Sequence, residues 1–351
     1  MKMKKQLLSK VLFMAVATAL LVSCNTGSKS SADAGGETEE EVTPDFQISL
    51  AQWSLHKTYF GGAPNWAEFG RLLQEDPDAM LQGELDPFDF PKVAAGYGIY
   101  CIELVNTFYF SKANDMDYWA RFKANCEEAG VTVGLIMCDA LGNLGDADPE
   151  ARMTAVENHK PWVDVAAFLG ASTIRVNAAG EGTAEEVAAN AVDGLSKLGE
   201  YGASKGINVV VENHGGISSN GKWLSGVMTK VGMDNVGTLP DFGNFCMEQG
   251  EDGCADEYDR YLGMEELMPF AKGVSAKSNV FDAEGNEANM DYMRIMKIVK
   301  ASGFKGYVGI EYEGAELSED EGIKATKALL EKVFAEILCG HIPMMIEDSL
   351  A

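Results

Sequence analysis

Eight apolar, strand-like runs alternate with longer helical segments along most of this chain. The runs are FQISLAQWSL, IYCIELVN, VTVGLIMC, STIRVNAAG, INVVVENHG, VGTLPDFGNF, AKGVSAKS and GYVGIEYEG. The segments between them have helical spacing, and several end in a glycine just before the next run, as at Gly130, Gly170, Gly206 and Gly303. Strands that alternate with helices form parallel sheets with crossover helices. Eight such units predict an α/β fold, a single (β/α)8 TIM barrel over residues 46–338.

A doubly wound open sheet is the alternative fold for the same alternation. Neither a GxGxxG motif nor a phosphate-binding loop follows any early strand, so the closed barrel is favoured. Residues 61–90 are too many for an ordinary connection from a strand to a helix. We expect this segment to decorate the mouth of the barrel at the carboxyl ends of the strands.

The composition excludes one class of partner. The chain has 351 residues, of which 46% are hydrophobic, and a formal net charge of −26. That length allows a large core. A surface this acidic repels phosphate backbones, so we expect no nucleic-acid partner.

The first residues read as a targeting segment rather than as part of the fold. A basic start, MKMKK, is followed by an apolar stretch too short to span a bilayer and then by LVSC, which ends at Cys24. This arrangement resembles the signal of bacterial lipoproteins. The resemblance implies a signal peptide over residues 1–23, acylation of Cys24, and a protein anchored at the cell envelope to a bacterial membrane by its lipid alone. An ordinary secretory signal is the alternative.

Residues 24–45 are small, polar and acidic, which predicts a flexible linker. Residues 339–351 are left as a C-terminal tail. Cys246 and Cys254 enclose a glycine-containing loop, and an envelope location permits disulfides, so we predict a bridge between them. The remaining cysteines are expected to be small buried thiols.

Polar residues occur where the predicted strands end, and this is where the active sites of parallel barrels lie. In strand order they are His56, Glu103, Arg175 with Asn177, Glu212 with His214, Asp241, Ser275 with Lys277, and Glu311 with Glu313. Three carboxylates, Glu212, Asp241 and Glu311, should meet and repel one another unless a cation binds between them. Oxygen ligands suit Mg²⁺ or Mn²⁺, and Zn²⁺ becomes an option if His214 joins as a fourth ligand. Structural ion pairs with Arg175 and Lys277 are the alternative.

The motifs VVVENHGG, LPDFGNF, VSAKS and VGIEYEG, in this order and spacing, resemble the xylose isomerase-like TIM-barrel family of sugar isomerases and epimerases. The resemblance implies one divalent metal held by Glu212, Asp241 and Glu311, with the two glutamates exchanging protons with a sugar. Two positions depart from the family pattern. Ser275 stands where the family has a histidine ligand, and Asn244 stands where a second histidine is frequent.

This reading assigns roles to particular residues. Glu212 and Glu311 are the predicted proton-transfer pair, and Lys277 is predicted to stabilise an enediolate oxyanion. The predicted substrate-binding residues are His56, Glu103, Arg175, His214 and Asn244. The expected substrate is a free sugar or keto-sugar. A non-catalytic sugar-binding lipoprotein and a keto-sugar lyase or hydrolase remain open as alternatives, whereas an acidic chain with four histidines is a poor candidate for the family's DNA endonucleases.

Overall fold

A computed structural model describes residues 45–61, 66–251 and 253–338 of the chain. The predicted signal peptide, Cys24, nearly all of the predicted linker, Cys339 and the C-terminal tail lie outside the described residues. Among the helices of the described part, none is both long enough and apolar enough to cross a membrane.

Eight parallel strands form the barrel wall, and each lies within one of the eight predicted runs. They are β1 (Phe46–Ala51), β2 (Cys101–Val105), β3 (Thr132–Met137), β4 (Thr173–Val176), β5 (Asn208–Glu212), β6 (Val236–Leu239), β9 (Val274–Ser278) and β10 (Gly306–Tyr312). The hydrogen-bonded order is β6-β5-β4-β3-β2-β1-β10-β9. Two parallel bridges, Thr238 with Ala271 and Asp241 with Ser275, join the sheet edges. The predicted TIM barrel is therefore confirmed.

Within the described residues, ten α-helices accompany the strands. They are α1 (His56–Phe60), α2 (Trp66–Glu75), α3 (Phe90–Gly96), α4 (Met116–Ala129), α5 (Pro149–Leu169), α6 (Ala184–Lys205), α7 (Gly221–Val231), α8 (Arg260–Leu267), α9 (Tyr292–Ala301) and α10 (Glu319–Leu338). Glycine ends α4, α5 and α6 in the left-handed conformation, with φ of 68° at Gly130, 85° at Gly170 and 73° at Gly206. A residue without a Cβ takes up that conformation without steric cost, so these helices stop before the next strand.

The connection from β6 to β9 carries a small antiparallel hairpin. It consists of β7 (Cys246–Gly250) and β8 (Gly253–Glu257). The predicted disulfide between Cys246 and Cys254 is confirmed, with a Cα–Cα distance of 5.6 Å. Among the described cysteines, Cys101, Cys126 and Cys138 are free and buried, as expected.

Candidate active site

The barrel delivers three carboxylates to one point. Glu212 is the last residue of β5, Glu311 lies near the end of β10, and Asp241 follows β6. Their exposed fractions are 0%, 3% and 0%, so all three side chains are removed from water. One oxygen atom from each lies within 4.8 Å of the others. We refer to Glu212, Asp241 and Glu311 as the carboxylate cluster.

Ser275 of β9 joins two members of the cluster. Its Oγ lies 2.6 Å from Oδ2 of Asp241 and 2.9 Å from Oε2 of Glu311. A hydroxyl carries one proton and can donate to one carboxylate at a time, so the second contact requires a proton on a carboxylate. The structure thus places a small hydroxyl between two cluster members, at the position where the family resemblance implies a histidine.

Two buried cations flank the cluster. Arg175 Nε lies 2.6 Å from Oε2 of Glu212, and its Nη1 lies 2.6 Å from Oδ1 of Asp139. On the other side, Lys277 Nζ lies 3.4 Å from Oε1 of Glu311 and 2.9 Å from Oε1 of Glu313. Each cation is therefore shared between one cluster carboxylate and one carboxylate nearer the solvent, and negative charge remains in excess.

The excess charge and the burial perturb the cluster's titration. Burial raises the pKa of Glu212 to about 7; Arg175 opposes the rise, and Glu311 adds to it. Burial also raises the pKa of Asp241 to about 7, with Lys277 opposing and Glu212 adding. Burial alone would lower the pKa of Lys277, but the surrounding carboxylates, Glu311 first, raise it well above its ordinary value. Lys277 is consequently a charged ammonium at neutral pH.

An asparagine fixes the backbone of Asp241. The amide of Asn213, directly after β5, donates to the Asp241 carbonyl at 3.0 Å and accepts from the Asp241 N–H at 2.8 Å. Asn106, directly after β2, makes the same pair of bonds to Asp139, both at 2.9 Å. Each asparagine directly follows the last residue of its strand. Each one holds the aspartate that follows the neighbouring strand, which is β6 for Asn213 and β3 for Asn106.

Asn244 holds two cluster members at once. Its Nδ2 donates to Oε1 of Glu212 at 3.0 Å, and its backbone N–H donates to Oδ1 of Asp241 at 2.8 Å. Substrate binding by Asn244 stays a prediction, and in the structure its side-chain amide contacts the Glu212 carboxylate. Side-chain and backbone donors thus orient the cluster from the β6 connection.

A cavity of about 400 Å³, which we call the reaction cavity, opens beside the cluster. Four of the polar residues that follow the predicted strands line this cavity, namely Arg175, His214, Glu311 and Glu313. The apolar lining consists of Trp53, Phe69, and the last residues of β2 and β3, Val105 and Met137. Thr107 and Asp139 complete the described lining. Phe69 lies in the long segment 61–90, in keeping with the expectation that this segment reaches the mouth of the barrel.

The structure does not bring every predicted residue to this cavity. His214 lines it but is exposed, and it is not part of the group of described residues whose ligand atoms lie within 4.8 Å of one another. His56 stacks on Trp53 with ring centroids 4.9 Å apart and is not in the described lining. Glu103 is buried inside the barrel, where Oε1 accepts from Ser49 Oγ at 2.6 Å.

Glu103 and Phe242 are placed by packing. A Cβ on Gly309 of β10 would lie 2.6 Å from the Glu103 carboxylate, so the glycine makes room for it. Phe242 is a core residue, fully buried, and its ring meets that of Tyr292 edge-on with the centroids 5.2 Å apart. Burial raises the pKa of Glu103 to about 7, while the Ser49 hydrogen bond lowers it.

Sequence reasoning missed Asp139 and Asn106. Asp139 follows β3 directly, and its Oδ1 accepts from Arg175 at 2.6 Å and from Asn177 Nδ2 at 2.8 Å. The rule that functional residues follow barrel strands would have found Asp139. The role of Asn106 had no comparable signal, because its partner is an aspartate 33 positions away.

The fold is shared with several solved structures. A xylose isomerase-like TIM barrel protein from Mycobacterium smegmatis in complex with magnesium has a TM-score of 0.59 and 14% identity, covering 84% of this chain and 99% of its own. A 3-keto-D-glucoside 4-epimerase from E. coli has a TM-score of 0.58 and 13% identity, with 83% and 100% covered. A sugar phosphate isomerase/epimerase from Parabacteroides distasonis has a TM-score of 0.58 and 17% identity, with 85% and 98% covered.

None of the curated protein sequences compared with the chain matches it significantly. The sequence model of the xylose isomerase-like TIM barrel family, in contrast, matches residues 91–333, which is more than half of the chain. The match includes every member of the carboxylate cluster together with both flanking cations. This chain therefore belongs to the xylose isomerase-like TIM barrel family.

Proposed function

We propose that this protein is a sugar isomerase or epimerase that acts on a free sugar or keto-sugar by proton transfer through an enediolate. The observation that carries the proposal is the buried carboxylate cluster, with Glu311 lining a cavity of about 400 Å³ at the carboxyl ends of the strands. Family membership and the fold shared with a 3-keto-D-glucoside 4-epimerase support it.

Glu212 and Glu311 are the proposed proton-transfer pair. One carboxylate removes the proton next to the sugar carbonyl, and the bonding electrons move onto the carbonyl oxygen to give the enediolate. The other returns a proton to the neighbouring carbon or to the opposite face. Burial raises the pKa of Glu212 to about 7 in the absence of a bound cation. A cation held by the cluster would favour the ionised carboxylate, the form that removes a proton. Lys277 and Arg175 offset the negative charge that develops.

One divalent cation fits the carboxylate cluster. The donors are all oxygen atoms, they converge within 4.8 Å, and the negative charge around them exceeds that of Arg175 and Lys277. This donor set favours Mg²⁺ or Mn²⁺ over Zn²⁺. Glu212, Asp241 and Glu311 would hold the ion, which when bound would polarise a sugar oxygen. Elemental analysis of protein purified without chelator should find about one ion per chain.

The proposed location narrows the substrate class. If Cys24 is acylated, the barrel lies at the cell envelope, where free sugars and keto-sugars from glycan breakdown are available. Phosphorylated sugars of central metabolism are expected inside the cell. The described lining of the reaction cavity has one arginine, already paired with Asp139 and Glu212, which leaves little to hold a phosphate.

The test is turnover in heavy water. A panel of ketohexoses and oxidised sugars is incubated with the protein, and the products are read by NMR. Proton transfer through solvent-exchangeable carboxyl groups should place deuterium on the substrate carbon. A hydride shift carries the substrate's own hydrogen across, so an isomerised product without deuterium would exclude the enediolate. Cleavage or elimination products in place of isomers would favour a lyase or hydrolase.

A further inference from the structure

A second cavity adjoins the reaction cavity. It has a volume of about 370 Å³ and lies among the connections that follow β3, β4 and β5. His159 of α5, Asn177 and His214 are among its polar lining residues. We call it the side cavity.

The two cavities share a boundary. His214 lines both of them. Asn177 of the side cavity donates from Nδ2 to Oδ1 of Asp139, at 2.8 Å, and Asp139 lines the reaction cavity. A molecule bound beside Glu311 could therefore extend past His214 into the side cavity.

The side cavity offers hydrogen-bond acceptors. Nδ1 of His159 lies 2.7 Å from the Ala155 carbonyl; a carbonyl only accepts, so Nδ1 carries the proton and Nε2 is an acceptor. Burial lowers the pKa of His159 to about 4, which keeps the ring neutral. The Oδ1 atom of Asn177 is buried without a hydrogen-bond partner. Both acceptors suit the hydroxyl groups of a polyol.

The described lining of the side cavity contains no lysine or arginine. The negative charge of a phosphate or carboxylate bound there would have no cationic partner in the described lining, and the carboxylate of Asp139 at the boundary would repel it. A neutral, hydroxyl-rich group is the ligand class that matches this lining.

The walls of the side cavity are held in place. The backbone N–H of Gly145 donates to the Ala179 carbonyl at 2.9 Å, and a Cβ on Gly180 would lie 2.1 Å from the Gly145 carbonyl oxygen. Ala140, in the same lining, is the one non-glycine residue of the described chain with a positive φ, at 58°. Such a conformation persists where the surrounding structure enforces it, so the cavity is formed before a ligand binds.

We propose that the substrate has a second, neutral sugar unit linked to the reacting one, and that the side cavity binds this second unit. The proposal deepens the proposed function and rests on it. His159 and Asn177 would accept hydrogen bonds from hydroxyl groups of the second unit, while the reacting unit lies beside Glu311.

The test compares ketohexoses with disaccharides that end in them. Dissociation constants for fructose, maltulose, isomaltulose and lactulose are measured by calorimetry, and deuterium uptake is followed in parallel. Two hydrogen bonds are worth about tenfold or more in affinity, so at least one disaccharide should bind about tenfold more tightly than fructose. Asn143→Trp places a bulky side chain in the side cavity from an exposed position and should abolish that advantage.

Two further variants sharpen the result. His159→Leu removes the acceptor and should reduce the advantage of the disaccharide. Asn289→Trp, an exposed position outside both linings, should leave the ratio of the two affinities unchanged. If no disaccharide binds more tightly than fructose, or if Asn143→Trp weakens both sugars equally, the second-unit site is overturned.

Sugar binding and deuterium uptake together distinguish failure of the side-cavity proposal from failure of the proposed isomerase activity. Fructose turnover with no gain from a second unit would overturn the side-cavity proposal and leave the isomerase standing. Tight disaccharide binding with neither deuterium uptake nor an isomerised product from any sugar would support the two-unit site and overturn the isomerase. Binding of neither kind of sugar would overturn both.

Discussion

Glu311 is the carboxylate through which the cluster meets the reaction cavity. Ser275 and Lys277 contact its two oxygen atoms at 2.9 Å and 3.4 Å. Glu311→Gln keeps the shape of the side chain and removes its basicity. We expect turnover to fall about 10²–10⁴-fold while the sugar still binds. Steady-state kinetics and calorimetry measure the two effects.

A matched control for Glu311→Gln lies on α10. Glu331 is an exposed carboxylate paired with Lys327 on the same helix, so Glu331→Gln makes the same chemical change away from the barrel mouth. Its turnover should match the wild type. Near-normal turnover of Glu311→Gln would refute the assigned role.

Glu103 should make stability depend on pH. Its pKa is raised from 4.5 to about 7 in the folded protein, chiefly by burial. The folded state therefore holds a proton that the unfolded state releases between these pH values, and stability falls as pH rises through that window. Glu103→Gln stays neutral and can still accept from Ser49. We expect it to be about 3 kcal/mol more stable than wild type at pH 8, with little gain at pH 4.5.

Urea unfolding at the two pH values measures the Glu103 effect. Glu212 and Asp241 titrate in the same range, so wild type alone would not isolate one residue. The difference in free energy of unfolding between wild type and Glu103→Gln isolates the contribution of Glu103. An equal stability difference at both pH values would show that folding does not change the pKa of Glu103.

At the scale of elements, two asparagines tie successive connections together. Asn213 holds Asp241 and Asn106 holds Asp139, each through a donated and an accepted backbone bond. Asn213→Ala removes one hydrogen-bond partner from the backbone N–H and one from the carbonyl of Asp241. Asn106→Ala does the same to Asp139. We expect each to lower the free energy of unfolding by about 2–4 kcal/mol, measured with urea.

The two asparagine variants should differ in metal binding. Asn213→Ala loosens the backbone of a cluster member, so its affinity for Mn²⁺ should fall in a calorimetric titration. Asn106→Ala removes the same bonds from Asp139, which is outside the cluster, and should leave that affinity near the wild-type value. Equal losses of affinity would indicate a general loosening of the barrel mouth instead.

At the scale of the whole molecule, the barrel is expected to be tethered through residues 24–45. Cys24→Ala removes the thiol that the lipoprotein signal would acylate. In bacterial cells the variant should leave the membrane fraction and the detergent phase, whereas Cys126→Ala, which alters a buried barrel cysteine, should not. Unchanged partitioning of Cys24→Ala would rule out the lipid anchor.

Much of the architecture could be predicted from the order of the residues. Eight apolar runs separated by helical segments specify parallel strands, because each crossover helix returns the chain to the same edge of the sheet. The carboxyl ends of such strands meet at one mouth. That geometry is why Glu212, Asp241 and Glu311, far apart in sequence, were expected together before any distance was known. Nearness in sequence likewise made the bridge between Cys246 and Cys254 predictable.

The partners of those side chains were decided by the tertiary structure. His214 lies two residues after Glu212, the spacing that puts side chains on one face of a strand, but β5 ends at Glu212 and strand alternation ends with it. Glu103 pairs with Ser49 because Gly309 on the neighbouring strand leaves space for its carboxylate. Sequence periodicity determines the face on which a side chain lies. Register, loop path and the volume left by neighbours determine what it touches, and these arise only when the barrel closes.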